Sequence, residues 1–189
     1  WILTRLNYVI QEVRGALEEY KFNEAAHSAY HFFWHEFCDW YLEFAKPSLK
    51  KTEEMESTQG VLFFVLDNLL RLLHPFMPFI TEELWQSLHS SAPTKLKESI
   101  MICAYPSPQG NLCFEEAMAQ METVKEVIST IRKIRGEFNV HPATLVNATL
   151  LTKEDKMLEL LLENRQHILS LARLKNLDLS PITQSSDLN

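Results

Sequence analysis

The stretch from Asn23 to Lys46, NEAAHSAYHFFWHEFCDWYLEFAK, carries far more aromatic surface than a solvated helix can hold, so the chain has to supply a core against it. Asn23 offers an N-cap, Glu24 suits the positive end of the helix dipole, and Pro47 is expected to stop the run. At about 100° per residue, Ala26, Tyr30, Phe33, Trp34, Phe37, Tyr41 and Phe44 fall on one broad side, which is read as the core side. The opposite side collects Glu24, His31, His35, Asp39, Leu42 and Lys46, with Glu43 at its margin. Leu42 is apolar in the middle of a polar stripe. A single exposed leucine is ordinary on any surface; the functional reading is that a partner packs on Leu42 while Asp39, Glu43 and Lys46 make directional hydrogen bonds around it.

With 189 residues, 46% hydrophobic and 11% aromatic, the chain can build one substantial domain, or one domain with a small appendage. Only four glycines argue against a loop-rich or Rossmann design. A net charge of -7 excludes a generally basic nucleic-acid binder, so any RNA recognition must be local. Cys38, Cys103 and Cys113 contain no C-x-x-C pair and read as free thiols in a reducing, cytoplasmic setting. The chain lacks an uncharged apolar run of the ~18 residues a membrane helix needs, and no membrane is expected. Trp1 begins in mid-helix without a signal-peptide pattern, as a fragment of a longer chain would.

In chain order, Ile2, Leu6, Val9, Ile10, Val13 and Leu17 give Trp1 to Tyr20 a continuous apolar stripe, and the short link at Lys21 and Phe22 makes the next helix its antiparallel neighbour. Lys46 to Glu56 reads as a solvated connection with a basic cluster at Lys46, Lys50 and Lys51; Ser57 or Thr58 caps a third, mostly apolar helix through Leu73. Pro75 and Pro78 turn a sharp corner into a fourth helix, with Leu84, Trp85 and Leu88 facing inward. A polar loop, His89 to Glu98, leads to an apolar extended run, Ser99 to Tyr105, and a helix follows over Glu115 to Phe138. Leu145 to Leu151, a helix from about Glu154 to Leu174, and Leu177 to Leu179 read as strand, crossover helix and strand. The expected fold is therefore mainly α: an antiparallel helical bundle over 1–140, a small α/β appendage over 141–180 and a disordered tail over 181–189.

Candidate chemistry is sparse. His27, His31 and His35 stand one helical turn apart and could chelate a metal, as a metal-dependent hydrolase would need, but H-E-x-x-H order is missing and an exposed helix face accounts for them; no metal site is expected. Cys38 beside His35 and Asp39 lacks an oxyanion donor, because mid-helix amides are already bonded, and no catalytic residue is assigned. No P-loop or G-x-G-x-x-G is present. The helix ending in IRKIRGEF offers Lys125, Arg132, Lys133 and Arg135; these are solvated charge or, for Arg132 and Arg135, weaker candidates for phosphate contact, together with Lys50.

The segment FNEAAHSAYHFFWHEFCDWYLEFAKP, with LLRLLHPFMPFITEELWQ at Leu69 to Gln86 and IRKIRGEFNVHPATLV further on, resembles the anticodon-binding region of bacterial-type valyl-tRNA synthetases across almost the whole chain. The isoleucyl- and leucyl-tRNA synthetases share the bundle. The resemblance implies a bundle that grips the tRNA-Val anticodon stem-loop within a class I enzyme, one that attaches valine to tRNA using ATP. The HIGH and KMSKS signatures, the zinc-binding and editing portions and the C-terminal coiled-coil arm are absent here, so this piece, expected as a monomer, should not aminoacylate; ATP and valine belong to a catalytic domain elsewhere in the same chain. The resemblance also implies that Leu42 lies against an anticodon base. Asp39 and Glu43 would then accept from base N–H groups and Lys46 would meet a phosphate. The reading from a different class is a structural or protein-interaction bundle, in which the Leu42 face does nothing to RNA.

Overall fold

The structure, a computed structural model, describes residues 1–90 and 98–181. The expected tail from 182 onward, and most of the expected polar loop, lie outside those residues. The chain divides into two compact units, Trp1–Glu115 and Glu116–Asn189. The division falls before the long helix that the sequence reading assigned to the bundle, instead of at 140.

In the first unit, helix α1 (Ile2–Glu18) buries Ile2, Leu6, Val9, Ile10 and Val13 as its periodicity requires. The turn after it is tight: Tyr20 takes a left-handed φ of 60°, and the N–H of Lys21 donates to the Ala16 carbonyl at 2.8 Å. Helix α2 (Phe22–His31) follows, antiparallel in sequence logic and packed on α1 through Ala25 and Ala29, both fully buried. Asn23 is not its cap; Lys21 holds that position, and no side chain caps the end.

The helix then changes winding. Phe32–Tyr41 is a π-helix of 10 residues, after which α3 (Leu42–Ser48) resumes the tighter coil. Pro47 does not stop the run, because it sits inside the last turn of α3. Glu36 is buried at 8% exposure in the middle of the π segment, and its carboxylate accepts a two-point ion pair from Arg5 of α1, Nε and Nη2 each at 2.7 Å. That pairing fixes the π segment against α1, with Phe32 and Phe37 in the core beside it.

Helix α4 (Thr52–Leu73) begins well before the expected cap at Ser57 or Thr58, so the solvated connection shrinks to the short link over 49–51. Glu53 and Glu54 in its first turn complement the dipole, and Lys51 pairs with Glu54 at 2.8 Å, which together replace a side-chain cap. Val65, Leu69, Leu72 and Leu73 join the core of α1 and α2. Pro78 opens α5 (Pro78–Ser90) at its first position, as expected. Trp85, Leu70 and Ile100 form a second small core, while Leu84, expected inward, is exposed. Ile100–Ile102 is a single 3-10 turn capped by the Ser99 hydroxyl, where an extended run was expected. Beyond it, the buried side chains of Thr4 and Asn7 on α1 hold the 109–114 backbone through bonds of 2.7–3.0 Å to Gln109 and Phe114.

Helix α6 (Glu115–Glu137) leads into the second unit. There β1 (Val146–Thr152) pairs in parallel with β2 (Leu174–Pro181), in the register Ala148 with Leu177. The strand, crossover helix and strand are as expected, except that the crossover is two helices, α7 (Asp155–Glu163) and α8 (Arg165–Leu171). At the break, the Asn164 amide donates to the Leu160 carbonyl at 2.9 Å and competes with the regular ladder.

Two predictions follow from this packing. Removing one partner of the Arg5–Glu36 pair, by Arg5→Ala or Glu36→Ala, should lower stability by about 3 kcal/mol, the low end for a broken buried pair because Arg5 retains some exposure; urea unfolding measures it. Burial holds the phenols of Tyr41 and Tyr105 up at about 12. An unfolded chain ionises these groups near pH 10 while the folded chain keeps its protons. Stability should therefore be unaffected by them at neutral pH and fall as pH rises from about 10 to 12. Tyr41→Phe should move the onset of alkaline unfolding, followed by circular dichroism, to higher pH.

Candidate nucleic-acid interface

The outward face of the continuous α2, π and α3 run is where the sequence placed its site. A helix that closes on i+5 instead of i+4 holds nearly one more residue per turn and so advances about 80° per residue instead of about 100°. Over the 10 residues of the π segment the lag approaches half a turn. Every side chain beyond Phe32 is rotated away from where α periodicity puts it.

Leu42 shows the consequence. It is half-buried and packs against the main core, not isolated in an exposed polar stripe. Conversely, Tyr30 and Trp34, expected in the core, are 52% and 49% exposed, and their rings stack with centroids 6.5 Å apart and planes 7° from parallel. Phe37 and Phe44 are buried as expected, and the rest of the inward line runs through Ala25, Ala29, Phe32 and Glu36. Small alanines one turn apart were the available signal, since they let α2 approach α1 closely; aromatic bulk pointed one residue the wrong way.

On the exposed side, Asp39 follows Trp34 by five residues, which at about 80° per residue leaves it about 40° from the Trp34 line. Asp39 is exposed and pairs with His35 Nδ1 at 3.2 Å. The rings of His27, His31 and His35 run alongside, with centroids 6.0 and 4.9 Å apart in turn. One turn on, Glu43 and Lys46 pair with each other at 2.5 Å. Lys50 is exposed just past the end of α3. Tyr30, Trp34, Asp39 and Lys46 are exposed along the α2, π and α3 run, with Glu43 half-buried beside Lys46 and Leu42 against the core. Exposed ion pairs such as these are worth little on their own, so an incoming hydrogen-bonding partner can replace either one at small cost.

Burial, and then the charge of Asp39, push the Cys38 thiol up, the opposite direction from the shift that activates a cysteine nucleophile. Arg132 and Arg135 lie in the second unit. Arg132 is exposed and its Nε donates to the Leu171 carbonyl at 3.0 Å. Arg135 is buried and not a surface side chain; it donates to the carbonyls of Arg173, His141 and Thr144. No helix among the described residues is long and apolar enough to cross a membrane.

An exposed aromatic stack running into acid and base side chains is the equipment of a surface that takes unpaired bases. In comparison with known proteins, the family described as the anticodon-binding domain of tRNA ligase matches residues 1–150. The chain belongs to that family. It is 48% identical over 179 residues to the valine–tRNA ligase of Geobacter sulfurreducens, covering 94% of this chain and 20% of that protein. The valine–tRNA ligase of Syntrophotalea carbinolica is 45% identical with the same coverage, and that of Aquifex aeolicus is 38% identical, with 94% of this chain matched to 16% of the relative. The chain therefore spans about a fifth of the length of the relatives it matches. The winding of the π segment decides which of its side chains lie on the surface.

That winding is testable by stability alone. Phe37→Ala should cost about 3–5 kcal/mol by opening a core cavity, whereas Trp34→Ala, which α periodicity would place in the same core, should cost about 1 kcal/mol or less. Denaturant midpoints of the two variants measured side by side decide it.

Proposed function

We propose that this chain is the anticodon-reading part of a valine–tRNA ligase and that the strip from Tyr30 to Lys46 meets the anticodon loop of tRNA-Val. The observation that carries the reading is the exposed Tyr30–Trp34 stack leading into Asp39, Glu43 and Lys46; the valine–tRNA ligase relatives supply the choice of tRNA. A splayed base stacks on Trp34, a contribution of about 1–3 kcal/mol. Asp39 and Glu43 accept hydrogen bonds from base amino or imino groups, and the edge of Leu42 left outside the core packs on the sugar or base beside them. Lys46, released from Glu43, and Lys50 meet the loop phosphates. Attachment of valine, with its ATP, is left to a catalytic domain in the remainder of a longer chain, so this piece is inactive by itself. It works as a monomer in the cytoplasm.

Binding of a labelled tRNA-Val anticodon stem-loop, compared with one carrying an altered anticodon, tests this. Trp34→Ala should weaken the cognate complex at least about fivefold. Asp39→Asn should narrow the gap between the two loops, and Lys46→Ala should weaken both equally and flatten the salt dependence. If all three variants bind both loops as the parent chain does, the strip does not read the anticodon and the bundle serves a structural or protein-docking purpose instead.

A further inference from the structure

The second unit holds a cleft of about 640 Å³ that anticodon reading does not use. Its cationic lining is Arg132, Arg135 and Arg173, with His141 beside them, and among the described residues no carboxylate lines it. The three arginines stand differently. Arg135, 9% exposed, forms the floor, with Nη1 donating to the Arg173 carbonyl at 3.2 Å and Nη2 to the carbonyls of His141 and Thr144 at 3.4 and 2.8 Å. Carbonyls satisfy its donors but bring no net charge, so a full positive charge remains beneath the cleft. Arg132 sits on the wall with Nε on the Leu171 carbonyl. Arg173 is exposed, caps no carbonyl, and makes no side-chain hydrogen bond or ion pair among the described residues; it lies at a left-handed φ of 55°. His141 Nδ1 accepts from the Ala143 N–H at 3.2 Å, which leaves Nε2 as the N–H donor of the neutral ring.

The plain alternative is that these arginines merely cap helix ends, since the last turns of α6 and α8 both abut the cleft. Magnitude separates the two readings. Each helix terminus contributes about half a negative charge, so two ends offset one of three guanidinium charges and leave the cleft strongly positive. Capping also does not account for Arg173, whose guanidinium touches no carbonyl.

We propose that this cleft is an oxyanion site that takes a phosphate group, with Arg173 and the Nε2–H of His141 as the contacting donors and Arg135 as the buried charge beneath. The chemistry fits a phosphodiester of an RNA backbone or the terminal phosphate of a small molecule. It stands apart from anticodon reading and does not depend on it, because a phosphate contact carries no sequence.

The test is a titration of the full 189-residue chain, labelled for NMR, with two probes at low salt: an RNA hairpin of unrelated sequence, and inorganic pyrophosphate. Saturable amide shifts at Gly136, Val140, Ala143 and Arg173 with either probe are expected, and the probe that saturates identifies the source. With the hairpin, Arg173→Ala should weaken binding several-fold and reduce the slope of log K against log salt by about one, and Arg173→Lys should restore part of both. Trp34→Ala should leave these shifts intact, so loss of loop discrimination with the cleft shifts unchanged would remove only the anticodon reading. Absence of cleft shifts with both probes, or an Arg173→Ala chain that binds both as the parent does, overturns the proposal.

Discussion

The wider hydrogen-bond ring of the π segment is the constraint on which the first unit depends. An α-helix through Phe32 to Tyr41 could not place Phe32, Glu36 and Phe37 inward while keeping Trp34 and Asp39 on the outer side. The π ladder is less favourable than the α ladder and persists only where its surroundings over-determine it. Here the Arg5–Glu36 pair and the flanking rings do so. Glu36 cannot turn away without leaving two guanidinium donors unmet in a partly buried site, and Phe37 and Tyr41, with rings 6.0 Å apart, fill the same side. The long π run therefore sets the face that α3, and with it Glu43 and Lys46, presents beyond Tyr41.

Arginine follows a second pattern across both units. Arg14, Arg71, Arg132, Arg135 and Arg165 all donate to backbone carbonyls, of Pro106, Ala104, Leu171, Arg173 and Leu177 among others. Carbonyls near helix ends and in irregular segments lack ladder partners, and a planar guanidinium can satisfy two at once. Carbonyls bring no net charge, so an arginine held only by them keeps its own, whereas Arg71 is neutralised by its pair with Asp67. In a chain of net charge -7 this produces local positive ground without a basic surface, the only form of anion affinity its composition allows.

Much of this was legible in the residues. The stripe of α1, the Pro75–Pro78 corner, and the parallel strand, helix and strand of the second unit all follow from periodicity and proline placement. The winding of Phe32–Tyr41 was not, because periodicity arguments assume a pitch before they assign a face, and the error passed to Trp34 and Leu42; Tyr30, ahead of the π segment, was misplaced because its ring was counted as core bulk. Caps failed for a related reason: Asn23 and Ser57 are good caps by type, but α2 and α4 start where packing on α1 and the acidic first turn allow. That α6 also packs into the second compact unit was not legible, because Arg132 and Arg135 read as surface charge, whereas their bonds to the Leu171, Arg173 and Thr144 carbonyls bind α6 to the strand–helix–strand that follows it.

The acidic side chains of the strip impose a condition on any RNA that meets it. Asp39 and Glu43 repel phosphates, so a loop gains nothing from them unless it presents N–H donors at the right height. A loop that does not must desolvate two carboxylates, each already paired to His35 or Lys46, without replacing what it removes. Discrimination then arises from the penalty on the wrong loop as much as from contact with the right one. On the proposed reading such a surface selects well and holds weakly, and the stacking area of Tyr30 and Trp34, which every base can use, would supply the affinity that the carboxylates withhold.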